Sequence, residues 1–183
     1  MDAFDAKKEN AFSKDRSNKG SIDKRIKGLV EAINKNENLF TKSSCSGRII
    51  VIKRTGKKTD SKILLASHEK VTEAEKVKEV IEGGGDVWLL FSPMILHVCC
   101  RTVDDAMKLF KRAKEAGFKR HGIISVKDTV IVEIMGTEKM EALLSDDYGV
   151  YFTEEGLQRH LDYACEKFDL NMEKIESFEK LLK

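Results

Sequence analysis

Two short stretches of this chain hold more hydrogen-bonding chemistry than a connecting segment needs. Ser43-Ser44-Cys45-Ser46-Gly47-Arg48 crowds three hydroxyls and a guanidinium into six residues at the mouth of a strand. Hydroxyls both donate and accept, and arginine grips a phosphate or carboxylate bidentately or stacks on a base. Lys19-Gly20-Ser21-Ile22-Asp23 opens a helix with free backbone N–H groups, a hydroxyl and a carboxylate. Such a start holds an anion or a polar ligand, although Asp23 repels phosphate and suits a cation. An ordinary helix cap is the plainer reading of the same residues. Two histidines add imidazoles, the side chains most used to move protons: His68 closes a strand, and His97 lies mid-strand on the face of Ile95 and Cys99. For a lone strand histidine the plainer reading is a satisfied core residue.

The elements that must position these groups follow from spacing. A weakly amphipathic helix is expected over 2–15, then a turn at 16–20. Ser21 serves as the N-cap of a helix with Ile22, Ile26, Leu29, Val30 and Ile33 inward and Asp23 in its first turn. Residues 41–48 read as a polar loop feeding the strand 49–52, a hairpin turn at 56–60 and a returning strand 63–66. Thr72 and Glu75 have capping-box spacing for a short helix to about Glu82. Strands 87–91 and 94–100 are expected on either side of a Ser92-Pro93 connection, with Trp88 and Leu90 inward. Thr102 caps a helix carrying the stripe Val103, Ala106, Met107, Phe110 and Ala113, which Gly117 stops. A hairpin 123–126/130–134, a strand 140–144 and a helix over about 153–183 complete the chain. Gly83-Gly84-Gly85 follows a helix and precedes a strand, the wrong order for a dinucleotide fingerprint. The order resembles a split βαβ layout. We therefore expect an α/β (α+β) single-domain sandwich over 1–183, with a mixed, largely antiparallel sheet flanked by helices.

Composition narrows the function classes. In 183 residues, 41% are hydrophobic and 35% charged, which suits a packed domain with a solvated surface. The longest apolar run, Val87 to Phe91, is far short of the roughly 18 residues of a membrane span. The polar opening is unlike a signal peptide, so membrane and secreted classes are excluded and a cytoplasmic location is expected. Cys45, Cys99, Cys100 and Cys165 form no C-x-x-C pair and no ligand pattern with the histidines, so reduced thiols and no structural metal are expected. Residues 1–120 carry 26 Lys and Arg against 17 Asp and Glu, whereas 121–183 carry 7 against 14. A basic front and an acidic rear fit a polyanionic partner approached from one side, and equally a helix-rich surface with many solvated charges.

Taken together, Lys19-Gly20-Ser21-Ile22-Asp23, Thr41-Lys42-Ser43-Ser44-Cys45-Ser46-Gly47-Arg48-Ile49, Ser67-His68 and Ile95-Leu96-His97-Val98 form an ordered set. This set resembles the signature blocks of the wybutosine-synthesising protein 3 class of tRNA methyltransferases, over about residues 4–145. The resemblance implies transfer of a methyl group from S-adenosylmethionine to a ring nitrogen (N4) of a demethylwyosine-type base beside the anticodon of tRNA-Phe. It also implies an α/β fold unlike the Rossmann-like methyltransferases. On that reading Ser21, Asp23, Ser43, Ser44, Ser46 and Arg48 hold the cofactor or the base, and His68 or His97, with Asp23, serves the chemistry. Arg16, Lys19, Lys24, Arg25 and Arg120 are the candidates for contacts to the tRNA backbone. The alternative is a non-catalytic RNA-binding module that grips a nucleotide with the serine–arginine segment.

Overall fold

The computed structural model describes residues 2–13, 23–56, 60–81 and 85–183. Its helices are α1 (Ala3–Ser13), α2 (Lys27–Lys35), α3 (Ala74–Ile81), α4 (Val103–Glu115) and α5 (Glu154–Leu182). Its strands are β1 (Leu39–Lys53), β2 (Lys62–Ser67), β3 (Val87–Cys100), β4 (Arg120–Ser125), β5 (Val130–Met135), β6 (Met140–Asp146) and β7 (Gly149–Val150). The strand order is β2-β1-β3-β5-β4, with β6 also on β3 and β7 on β6. The registers β1–β2, β3–β5, β3–β6, β4–β5 and β6–β7 are all antiparallel. Two compact units form, one from 1–46, 94–137 and 172–183, the other from 47–93 and 138–171. Strands β1 and β3 and helix α5 each run through both.

In the first unit, strand alternation sorts the residues onto two faces. Met94, Leu96, Val98 and Cys100 of β3 and Val130, Val132 and Ile134 of β5 point into the main core. That core is closed by Leu29, Val30 and Ile33 of α2, by Ala106, Leu109, Phe110 and Ala113 of α4, and by Ile175 and Phe178 of α5. Phe118 and Phe178 are fully buried, with ring centroids 5.8 Å apart. The α4 stripe departs from its expected form: Leu109 is buried, whereas Val103 and Met107 are exposed. Thr102 caps α4 as expected, accepting from the Asp105 N–H at 3.1 Å, and Gly117 ends it at φ +96°. A smaller cluster of Phe4, Phe40 and Cys99, with Ala11 packed against it, seats α1. Phe4 meets Phe40 edge-on at 5.2 Å, and the Arg101 guanidinium lies over Phe4 while bonding Asp2 and Asp5.

Three sequence expectations fail here for physical reasons. The segment 41–48 is strand and not loop, because β1 runs unbroken from Leu39 to Lys53. Hydroxyl-rich composition reports half-exposure, not backbone state, and a neighbouring strand takes up the backbone groups. Within this segment Gly47 sits at φ +106°, where a side chain would strain the chain. Second, β3 is continuous through Pro93. β6 pairs Val87–Phe91 and β5 pairs Ile95–Cys100, so the proline falls at the handover, where its missing N–H breaks none of those rungs. Third, α2 starts at Lys27, so Asp23 lies in the preceding turn rather than in the helix. The expected cap Ser21 lies outside the described residues.

In the second unit, Ile49 and Val51 of β1, Val77 of α3, Val87, Leu89 and Phe91 of β3, and Leu144 of β6 are buried with one stripe of α5. That stripe is Leu157, Leu161, Ala164 and Phe168, and Phe168 meets Phe91 edge-on at 6.1 Å. Because Val87, Leu89 and Phe91 are the inward set, Trp88 falls on the other face and is not core. Its indole N–H donates to Asp86 at 2.6 Å, and the Arg54 guanidinium lies 4.5 Å above the ring. None of the four cysteines forms a disulfide. No described helix is long and apolar enough to cross a membrane.

Candidate functional site

Within the first unit the two hydroxyl-rich segments meet at Asp23. One carboxylate oxygen accepts from the Ser46 backbone N–H at 3.1 Å and from the Ser46 hydroxyl. The other accepts from the Arg25 N–H at 3.1 Å, and the Asp23 carbonyl accepts from the Ile26 N–H at 3.1 Å. The side chain thus closes the turn that feeds α2 and ties it to β1. Asp23 is half-buried while Ser46 has no solvent exposure. The Ser46 hydroxyl therefore orients the Asp23 carboxylate. Ser43 is exposed and Ser44 half-buried on the same strand.

A second cluster draws on three neighbouring strands. His97 on β3 sits directly opposite Glu133 on β5 in the antiparallel register, so the two side chains share a face. His97 Nε2 is 3.0 Å from a Glu133 oxygen, and Nδ1 is 2.7 Å from the hydroxyl of Ser43 on β1. The histidine and glutamate side chains are 24% and 33% exposed, enough for solvent or a ligand to reach them. This face is opposite the main core, beside the cluster that seats α1. Cys99, two residues along, is buried there, and burial pushes its thiol pKa up. On the core face, burial pushes the Cys100 thiol up to about 12, so neither is a ready nucleophile. Glu133 escaped the sequence reading: in Val130-Ile131-Val132-Glu133-Ile134 it is an ordinary polar residue between core positions. Only the register with β3 singles it out.

In the second unit, His68 follows β2, half-buried, with Nδ1 3.1 Å from the Gly47 carbonyl. A carbonyl only accepts, so Nδ1 carries a proton and Nε2 of the neutral ring is the basic nitrogen. Arg48 is half-buried on β1. Of the candidate RNA contacts, Lys24 and Arg25 are exposed in the turn before α2 and Arg120 is exposed at the start of β4. Arg16 and Lys19 lie outside the described residues.

Comparison with known proteins gives this arrangement a context. The family model described as Methyltransferase TYW3 matches residues 5–183, so the match extends through α5, beyond the span of the sequence blocks. The chain is 36% identical over 179 residues to a Pyrococcus horikoshii protein named tRNA(Phe) 7-((3-amino-3-carboxypropyl)-4-demethylwyosine(37)-N(4))-methyltransferase 1, covering 95% of this chain and 91% of that one. It is 32% identical to a Danio rerio protein named tRNA wybutosine-synthesizing protein 3 homolog, covering 99% of this chain and 75% of that one. A solved Pyrococcus horikoshii structure superposes with a TM-score of 0.90 at 35% identity, covering 98% of this chain and 96% of that one. By family match, by sequence and by fold, this chain belongs to the Methyltransferase TYW3 family.

Proposed function

We propose that this protein transfers a methyl group from S-adenosylmethionine to a ring nitrogen (N4) of the demethylwyosine-type base at position 37 of tRNA-Phe, the activity for which its Pyrococcus relative is named. The observation that carries the reading is the Asp23–Ser46 contact, which joins the K-G-S-I-D and S-S-C-S-G-R blocks of a methyltransferase-family chain. The donor set suits the methyl donor: a fixed carboxylate for a cation or a ribose diol, and a half-buried hydroxyl at Ser44. When bound, S-adenosylmethionine supplies an electrophilic methyl on a sulfonium, so the protein's task is alignment.

Asp23 holds charge near that donor, and Ser46 with the Arg25 N–H keeps the carboxylate from rotating. Ser21, Ser43 and Ser44 supply hydroxyls to the cofactor or the base, and Arg48 takes a phosphate or the cofactor carboxylate. A histidine, His97 or His68, receives the proton that leaves the ring nitrogen; each has a ring nitrogen already engaged by an acceptor. Arg16, Lys19, Lys24, Arg25 and Arg120 contact the tRNA backbone, where charge sets affinity rather than base choice. The RNA-binding-only alternative is not favoured in a chain of methyltransferase family membership.

The test is methylation of tRNA-Phe from cells lacking this modification step, followed by digestion and nucleoside mass spectrometry. The expected result is one added methyl on the tricyclic nucleoside, dependent on S-adenosylmethionine. An unchanged nucleoside mass with properly folded protein and demonstrated tRNA binding rejects the reading.

A further inference from the structure

We propose that Ser43, His97 and Glu133 form a proton relay, and that Glu133 is its positioning residue, choosing which nitrogen of His97 acts as the base. The inference rests on the methyl-transfer reading above and goes beyond it by selecting the histidine and naming the group that orients it.

The geometry dictates the direction of the relay. An ionised carboxylate can only accept, so the 3.0 Å contact to Glu133 places the His97 proton on Nε2. Nδ1 is then the lone-pair nitrogen, and at 2.7 Å it accepts from the Ser43 hydroxyl. That hydroxyl oxygen, its proton directed to His97, keeps its own lone pairs for a donor from outside. Ser43 is exposed and His97 only partly so, which makes the serine the end that meets the substrate. The arrangement follows the logic of an oriented imidazole, in which a carboxylate fixes the tautomer and stabilises the imidazolium that forms.

During methyl transfer the ring nitrogen's electron pair forms the new nitrogen–carbon bond, and the methyl–sulfur bond breaks with its pair left on sulfur. The nitrogen's N–H bond breaks and returns its pair to nitrogen. That proton passes to Ser43 Oγ as the Ser43 hydroxyl proton passes to His97 Nδ1. Serine ends neutral and His97 ends as the cation facing Glu133. No oxidant or further co-reactant is needed.

The structure also explains why a half-exposed cluster stays ordered. His97 and Glu133 are directly paired residues of two strands, and Ser43 comes from the next strand over, so backbone ladders hold all three. A site on strands keeps its geometry better than one on loops.

The experiment has two independent readouts. Long-range proton–nitrogen NMR on histidine-labelled protein, without tRNA or cofactor, reads the tautomer of His97, assigned by its loss in His97→Gln. The expected spectrum has a protonated Nε2 and an unprotonated Nδ1, shifting to a mixed or reversed tautomer in Glu133→Ala. Steady-state methylation then separates kcat from KM. Glu133→Ala is expected to lower kcat by about 10- to 100-fold with KM for tRNA little changed, the range for losing an oriented acid–base group or its support. Glu133→Gln, whose amide oxygen still accepts from Nε2, recovers the tautomer and part of kcat. A wild-type spectrum with the proton on Nδ1, or wild-type kcat in Glu133→Ala, overturns the relay. Failure of the wild-type protein to methylate tRNA defeats the functional reading instead, and leaves the tautomer result standing on its own.

Discussion

Removing the Asp23 carboxylate separates its structural task from its chemical one. In Asp23→Ala the Ser46 N–H, donated to that carboxylate at 3.1 Å, loses its acceptor inside a residue with no solvent exposure. Orphaning a buried donor costs about 1–3 kcal/mol. The Arg25 N–H belongs to an exposed residue, so water replaces the carboxylate there at little cost. The Ser46 hydroxyl can rotate towards another acceptor. The sum stays near 1–3 kcal/mol, which for a chain of this length lowers Tm by roughly 2–12 °C. A domain stable by about 5–15 kcal/mol survives that loss. Ser46→Ala removes only the hydroxyl, so it too is destabilising, and the double variant reports the coupling. Urea melts of the four proteins, the wild type included, are expected to give an interaction energy of about 0.5–3 kcal/mol. Methyl transfer measured well below the lowest Tm is expected to fall by more than about 10-fold in Asp23→Ala, the loss of one charged contact. Additivity of the two substitutions within about 0.3–0.5 kcal/mol refutes an energetic contact between Asp23 and Ser46. Full activity in Asp23→Ala refutes its place in the site.

Two further outcomes test the fold around the site. Gly117→Ala forces a side chain into φ +96°, with its Cβ 3.1 Å from the Lys174 side chain, and is expected to destabilise by about 1–2 kcal/mol in urea unfolding; an unchanged midpoint contradicts the left-handed stop of α4. Native protein treated with iodoacetamide at mildly alkaline pH is expected to leave Cys99 and Cys100 unmodified, since burial raises both thiols and Cys100 to about 12; peptide mapping that finds Cys100 alkylated first contradicts the packing of β3.

Much of the fold was legible because local chemistry and tertiary demand agree along most of the chain. Thr102 and Gly117 bound α4 where capping and φ preferences place its ends. The α5 stripe from Leu157 to Phe178 is buried as its helical spacing requires. The hairpin of β4 and β5 forms where two β-branched runs flank Lys127-Asp128. Local composition does not place the helix and strand boundaries at Asp23, 41–48 and Pro93, because partners distant in sequence decide them. A hydroxyl-rich segment becomes strand when a neighbour completes its ladder, and a proline fits mid-strand where the adjoining partner changes.

The amino-acid sequence by itself determined which groups this protein has to work with: the aspartate and serine blocks, two strand histidines, a basic front, and a set of motifs specific enough to place the family. Composition and short-range spacing carry that information because residue identity and local backbone preference are properties of the chain itself. Only the tertiary structure decided which of those groups act on each other. That Ser46 holds Asp23, and that Glu133 faces His97 while Ser43 approaches its other nitrogen, depends on strand register and strand order. Register is a cooperative result of packing one face of the sheet, so a residue's partner across the ladder is invisible until the core has chosen its alignment.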